Sequence, residues 1–166
     1  MIIPFDENNS DGLNNKKNIS SGYGALGELK SGSYSDAYNV GYLFIYSNPQ
    51  YFFLSTQMRV AQKGSNYYVG IQTLSKFKKG SARSKTAKKI RKITKKWIKH
   101  ARGLSSDYAR IKYFNDKLCK WITYDSNSYD QSCYSAFILK KCVCAGYSMA
   151  FEYLCNSVGI NCISVT

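Results

Sequence analysis

The 166-residue sequence holds one histidine, and no acidic residue at all between Lys76 and Arg102. It contains no run of ~18 apolar residues, which excludes a membrane-spanning helix. Met1 to Gly12 offers neither a basic start nor an apolar run, so no secretory signal is expected. The expected location is therefore the cytoplasm by default, or the cell surface if the N-terminus is incomplete. No internal repeat is visible, and no cysteine precedes Cys119. What is present suits one ordinary domain. Apolar residues make up 44% of the chain and aromatics 15%, which excludes disorder by composition and allows a real core. The fifteen tyrosines suit strands and half-wet surfaces better than a dry interior.

The formal charge of +14 is local. Thirteen of the 24 Lys and Arg residues lie between Lys76 and Arg102, and the other eleven nearly cancel the ten acids. The charge belongs to one segment, not to the molecule. The six cysteines, at 119, 133, 142, 144, 155 and 162, all fall in the last third, where free-thiol and bridged readings both stand. Cys119, Cys155 and Cys162 lie in apolar patterns and read as buried small hydrophobes.

Three regions follow from the patterning. Residues 1–33, rich in Asn, Ser and Gly, read as a flexible polar leader. Residues 34–103 hold a helix, a hairpin and a basic helix. The first helix runs Tyr34 to Tyr46 with Ala37, Val40, Tyr42, Leu43 and Ile45 as its apolar residues, and Asn48-Pro49 ends it. Tyr51–Ala61 and Tyr67–Leu74 alternate as strands about a four-residue loop, Lys63 to Asn66. Ser84–Ala101 spaces Ala87, Ile90, Ile93, Trp97 and Ala101 as a helical stripe, with Gly103 as its stop.

In residues 104–166, Ser106-Asp107 caps a helix that buries Ile111, Phe114, Leu118 and Ile122, and a polar loop follows through Gln131. A short helix is expected over 132–139. The last helix starts near Cys144, buries Tyr147, Phe151, Leu154 and Val158, and stops at Gly159. A strand is expected from Ile160 to Val165.

Cys142-Val-Cys144-Ala-Gly146-Tyr147 thus places a thiol where a loop becomes a helix. The first N–H groups of a helix lack partners and carry partial positive charge. They favour a thiolate and can hold the oxyanion formed when it attacks an amide carbon. Gly146 allows close approach of substrate or a neighbouring strand. A cysteine that merely packs at a helix start is the competing reading. Cys142-x-Cys144 supplies only half a zinc site, so no metal or cofactor is expected.

The run from Lys141 through Cys142, Cys144, Gly146-Tyr147 and Phe151 to Gly159-Ile160 resembles the nucleophile segment of the transglutaminase-like superfamily. The Asp107–Asp125 stretch, closing on Ile-Thr-Tyr-Asp, is similar to that family's lead-in helix, and Tyr134–Phe137 to the short helix before the motif. The resemblance spans roughly residues 105–166; Asn48–Leu54 is similar to a segment upstream of this domain in bacterial relatives of clostridial type. It implies an α+β fold with a papain/transglutaminase-like core, helices packed on an antiparallel sheet, incomplete at the C-terminus. Cys144 takes the nucleophile position, and Cys142 matches no catalytic role. The implied chemistry is a Cys144 thioester formed from a glutamine carboxamide or peptide amide of a protein or peptide substrate, then passed to an amine or to water.

The resemblance also implies a histidine and an aspartate on strands after the cysteine helix, and neither occurs by Thr166. The chain is expected to be a fragment, and inactive as it stands; a degenerate copy and a site shared between two chains are the alternatives. His100 precedes the thiol and reads as a solvated residue near a helix end. Asp116, Asp125 and Asp130 read as surface or capping groups.

A non-catalytic binding module is the other functional class. Lys88, Lys92, Lys95 and Lys99 present a positive face that suits nucleic acid, anionic lipid or an acidic polymer. No named nucleic-acid motif accompanies it, and Arg is scarce beside Lys, which argues against base reading. Nothing in the sequence bears on oligomeric state.

Overall fold

The computed structural model describes residues 23–29 and 33–165. The fold is α+β, as expected. Three antiparallel strands, β1 (Tyr23–Leu29), β2 (Leu54–Lys63) and β3 (Asn66–Thr73), lie in the order β1-β3-β2. The leader reading falls partly outside the described residues, and its segment 23–29 is not a leader but a paired strand. No helix among the described residues is long and apolar enough to cross a membrane.

Helix α1 (Tyr34–Tyr46) has the bounds its sequence predicts, because Ser33 caps it: the Ser33 hydroxyl accepts the Asp36 N–H at 3.1 Å. It lies across β2 and β3. Its buried face is Ala37, Gly41, Ile45 and Tyr46, whereas Val40 and Leu43 face solvent. Gly41 sets that rotation. A Cβ there would stand 2.7 Å from both Met58 Sδ and Val69 Cγ1, so only glycine lets the helix sit this close to the sheet.

The hairpin loop is tighter than expected. Lys63 pairs with Asn66, leaving two loop residues, with Gly64 at φ 62° in the position that needs left-handed backbone. Strand β2 starts at Leu54 because Tyr51, Phe52 and Phe53 are buried in a turn. Phe52, Phe77 and Tyr134 then stack edge-on at 5.2 and 5.0 Å, joining the sheet to the helical part.

Helix α2 (Gly80–Arg102) begins four residues before the predicted Ser84. Arg83 explains the difference. Its buried guanidinium donates to the Phe77 carbonyl at 2.6 Å and the Lys78 carbonyl at 3.1 Å, and lies 5.3 Å from the Phe53 ring. The buried stripe is Arg83, Ala87, Ile90, Thr94, Ile98 and Ala101. Ile93 and Trp97 are half-buried, and Trp97 meets Trp121 edge-on at 5.3 Å. Gly103 ends the helix in right-handed backbone, at φ −84°, so its freedom is not what stops the chain.

Helix α3 (Asp107–Trp121) is capped by Ser106 and buries Phe114 and Leu118 completely, with Ile111 only half-buried. It packs on α2 and on α4 (Cys144–Asn156). The buried face of α4 is Gly146, Met149, Ala150, Tyr153 and Leu154; the predicted Tyr147, Phe151 and Val158 are half-buried flanks. The short helix expected over 132–139 is present over 133–139, and its Ser135–Leu139 part is π-helical, closed by Lys140 in left-handed backbone at φ 58°.

The expected strand over 160–165 is not formed among the described residues. Exposure alternates there, but no strand pairs with it. Side chains hold it instead: Asn156 Oδ1 accepts the Cys162 N–H at 3.1 Å, and Ser164 Oγ donates to Glu152 Oε2 at 3.0 Å.

Candidate functional site around Cys144

A small knot positions the head of α4. Strand β4 (Thr123–Tyr124), directly after α3, pairs in parallel with β5 (Lys141–Cys142), directly before α4. Between them the polar loop folds on Asn127. Its Nδ2 donates to Ser135 Oγ at 2.9 Å and to the Lys141 carbonyl at 3.0 Å, and its Oδ1 accepts the Tyr129 N–H at 2.9 Å. The Val143 N–H then donates to the Asp130 carbonyl at 3.2 Å. Gly146 permits this crossing: a Cβ there would stand 2.3 Å from Asp130 O and 2.7 Å from Cys142 Cβ. What approaches Gly146 is therefore the chain's own loop.

Cys144 is the first residue of α4, exposed and unbridged. Val143 is the N-cap, and no side chain caps this helix end. The thiol stands at a helix terminus whose first N–H groups have no partner within the helix. All six cysteines are free. Burial, helped by the charges of Asp130 and Cys144, pushes the Cys142 thiol up to about 11, so it stays protonated and packs. Cys133 and Cys155 are buried and their thiols are also raised, chiefly by burial. Cys119, expected to be buried, is exposed on α3, where it accepts a hydrogen bond from the Tyr147 hydroxyl at 3.0 Å. Cys162 is only half-buried.

Sequence reasoning missed Tyr46. It packs against Tyr42 with ring centroids 4.5 Å apart, and its hydroxyl is pushed up to about 12. Burial is the main cause, then Tyr42, and negative charge on Cys144 adds to it. The only prior hint was an apolar-periodic tyrosine next to the helix stop.

His100 is not brought to Cys144. Its ring meets that of Tyr113 at a tilt, centroids 4.5 Å apart, near the end of α2, while Arg102, two residues on, donates to the Ser157 carbonyl at 2.9 Å, at the far end of α4. The thirteen residues of α4 lie between that end and the thiol, about 20 Å at ~1.5 Å per residue. The three aspartates make local contacts. Asp116 pairs with Lys112 at 2.7 Å, Asp125 with Lys141 at 2.8 Å, and Asp130 Oδ2 accepts the Asn127 N–H at 3.2 Å.

Glu152 was also missed, although a lone acid inside Met149–Leu154 is a visible signal. It is fully buried and Oε1 has no hydrogen-bond partner among the described residues. Burial pushes its carboxyl up to about 7, against the Ser164 hydrogen bonds.

On α2, Lys88, Lys92, Lys95 and Lys99 are all exposed. Lys95 and Lys99 also line a cavity of about 490 Å³ between α2 and Tyr153 of α4. Among the described residues, no group of three or more His, Cys, Asp and Glu is placed to hold a metal ion. The chain matches no protein-family model and no curated protein.

Proposed function

We propose that Cys144 is the nucleophile of transglutaminase-like amide chemistry, on a papain-like arrangement in which α4 is the central helix. The thiolate adds to the carbon of a glutamine carboxamide or peptide amide, and ammonia or the amine leaves with a proton. The resulting thioester passes to an amine or to water. One observation carries this reading: an exposed thiol is the first residue of a helix whose end no side chain caps. The reading requires a base from outside the described residues, since His100 lies at the other end of α4.

Limited alkylation of the folded chain with iodoacetamide near neutral pH, read by peptide mass spectrometry, tests it. Cys144 should label first, well ahead of the buried cysteines. Cys119 is the decisive comparator because it is exposed as well. Labelling of Cys119 as fast as Cys144 would leave simple exposure as the whole explanation and end the proposal.

A second reading has its own support. The exposed cations of α2, among them Lys88, Lys92, Lys95 and Lys99, have no acid on their own helix, which favours docking on a polyanion.

A further inference from the structure

We propose that the start of α2 binds a phosphate group, held between the N–H groups of Gly80 and Ser81 and the guanidinium of Arg83. The site is separate from Cys144 and uses none of Lys88, Lys92, Lys95 and Lys99, so it stands apart from both readings above. Three observations meet there. The first is an open helix end. No side chain caps α2, its first turn holds no acid, and the Ala82 and Arg83 N–H groups already donate to the Lys79 carbonyl at 3.1 and 3.3 Å. The N–H groups of Gly80 and Ser81 make no hydrogen bond among the described residues. A helix of 23 residues places partial positive charge at this end.

The second is a buried cation short of partners. Arg83 is 1% exposed and pairs with no acid among the described residues. Its Nη1 serves the Phe77 and Lys78 carbonyls, while Nε and Nη2, both buried, have no hydrogen-bond partner. A guanidinium buried in this state is costly, and an anion supplies both the missing acceptor and the missing charge. The third is room. A Cβ on Gly80 would stand 3.5 Å from Arg83 Nη2, with nothing else within 4 Å beyond the glycine's chain neighbours and the helix backbone. Glycine thus leaves a cradle one atom wide between the helix end and the guanidinium. An oxygen seated there accepts from Nη2 after a shift of about half an ångström. Other oxygens of a tetrahedral anion turn to the Gly80 and Ser81 N–H groups, and the exposed Lys78 and Lys79, directly before the helix, add positive potential. A planar carboxylate has two oxygens for these three donors, so the site favours phosphate.

The experiment follows thermal unfolding of the full chain in inorganic phosphate and in phenyl phosphate, against sodium chloride at equal ionic strength. A saturable rise in melting temperature is expected, roughly 3–6 °C at tenfold excess over Kd. Phosphate acting alone assigns the free ion, and a matching rise in phenyl phosphate assigns a phosphate ester as well. Gly80→Ala fills the cradle and leaves every charge in place. Alanine is the better helix former, so the variant should fold, and it should weaken phosphate binding about tenfold. Lys78→Gln/Lys79→Gln lowers the charge outside the cradle and should weaken binding less than about threefold. Unchanged affinity in Gly80→Ala, or a larger loss from the lysine pair, leaves surface charge as the whole effect and overturns the site. Equal protection by acetate overturns the choice of phosphate, and no saturable rise in the unaltered chain ends the proposal.

Discussion

Gly146→Ala sets two general rules against each other at the head of α4. Helix propensity alone favours alanine over glycine by about 1 kcal/mol. The structure argues the opposite. The new methyl would fall 2.3 Å from a backbone oxygen, Asp130 O, and 2.7 Å from Cys142 Cβ. Neither atom can rotate aside, since one is main chain and the other is the first atom of its side chain. The Asp130 carbonyl is moreover held by the Val143 N–H, and its loop by the Asn127 hydrogen bonds, so relief means separating the loop from the helix. Overpacking of this kind costs about 1–3 kcal/mol, and more when backbone must move. Against the propensity gain, a net loss of about 1–2 kcal/mol is expected, or a melting temperature lower by roughly 2–8 °C for a chain of this size. Urea unfolding followed by far-UV circular dichroism measures it. A local readout should accompany it: Cys142, wholly buried in the unaltered protein, becomes open to alkylation as the loop lifts. A variant as stable as the parent, with Cys142 still shielded, refutes the close crossing and the account of how Cys144 is positioned.

Three further outcomes follow from the same geometry. Glu152 has a folded-state pKa raised from 4.5 to about 7, so the folded state holds this proton more tightly than the unfolded chain. Its contribution is complete below pH ~4.5 and fades as pH rises to ~7, a loss of about 3 kcal/mol, and Glu152→Gln should flatten that slope in urea midpoints compared at the two pH values. Asn127→Ala strips partners from the Lys141 carbonyl and the Tyr129 N–H; a loss of about 1–3 kcal/mol is expected, with faster hydrogen exchange at Val143 N–H. Ser106→Ala removes the cap on the Ala109 N–H and should cost about 1 kcal/mol, whereas a neutral result would show that packing alone sets the start of α3.

The parts legible in the sequence are those governed by local chemistry. Helix α1 and helix α3 begin where Ser33 and Ser106 cap them, and α4 begins at Cys144 where a loop closes. The hairpin was legible because Tyr67 to Leu74 and the stretch before it alternate about Gly64. Rotation of the helices was not. Val40 and Leu43 obey helical periodicity yet face solvent, because Gly41 decides which side approaches the sheet. Thr94 and Ile98 displace Ile93 and Trp97 from the centre of the α2 stripe, and a threonine can be buried there because its hydroxyl bonds back to Ile90. The Asn127 knot reads as mere polar loop, since nothing local shows that Ser135 and Lys141 return to it. Tyr46 was invisible for the same reason: its electrostatic coupling to Cys144 depends on tertiary packing.

The edge-on run of Phe52, Phe77 and Tyr134 reaches the chain directly ahead of the π-helical turn that leads into β5 and then α4. A displacement of the sheet against the helices therefore presses first on that turn, and through β5 on the seat of the thiol.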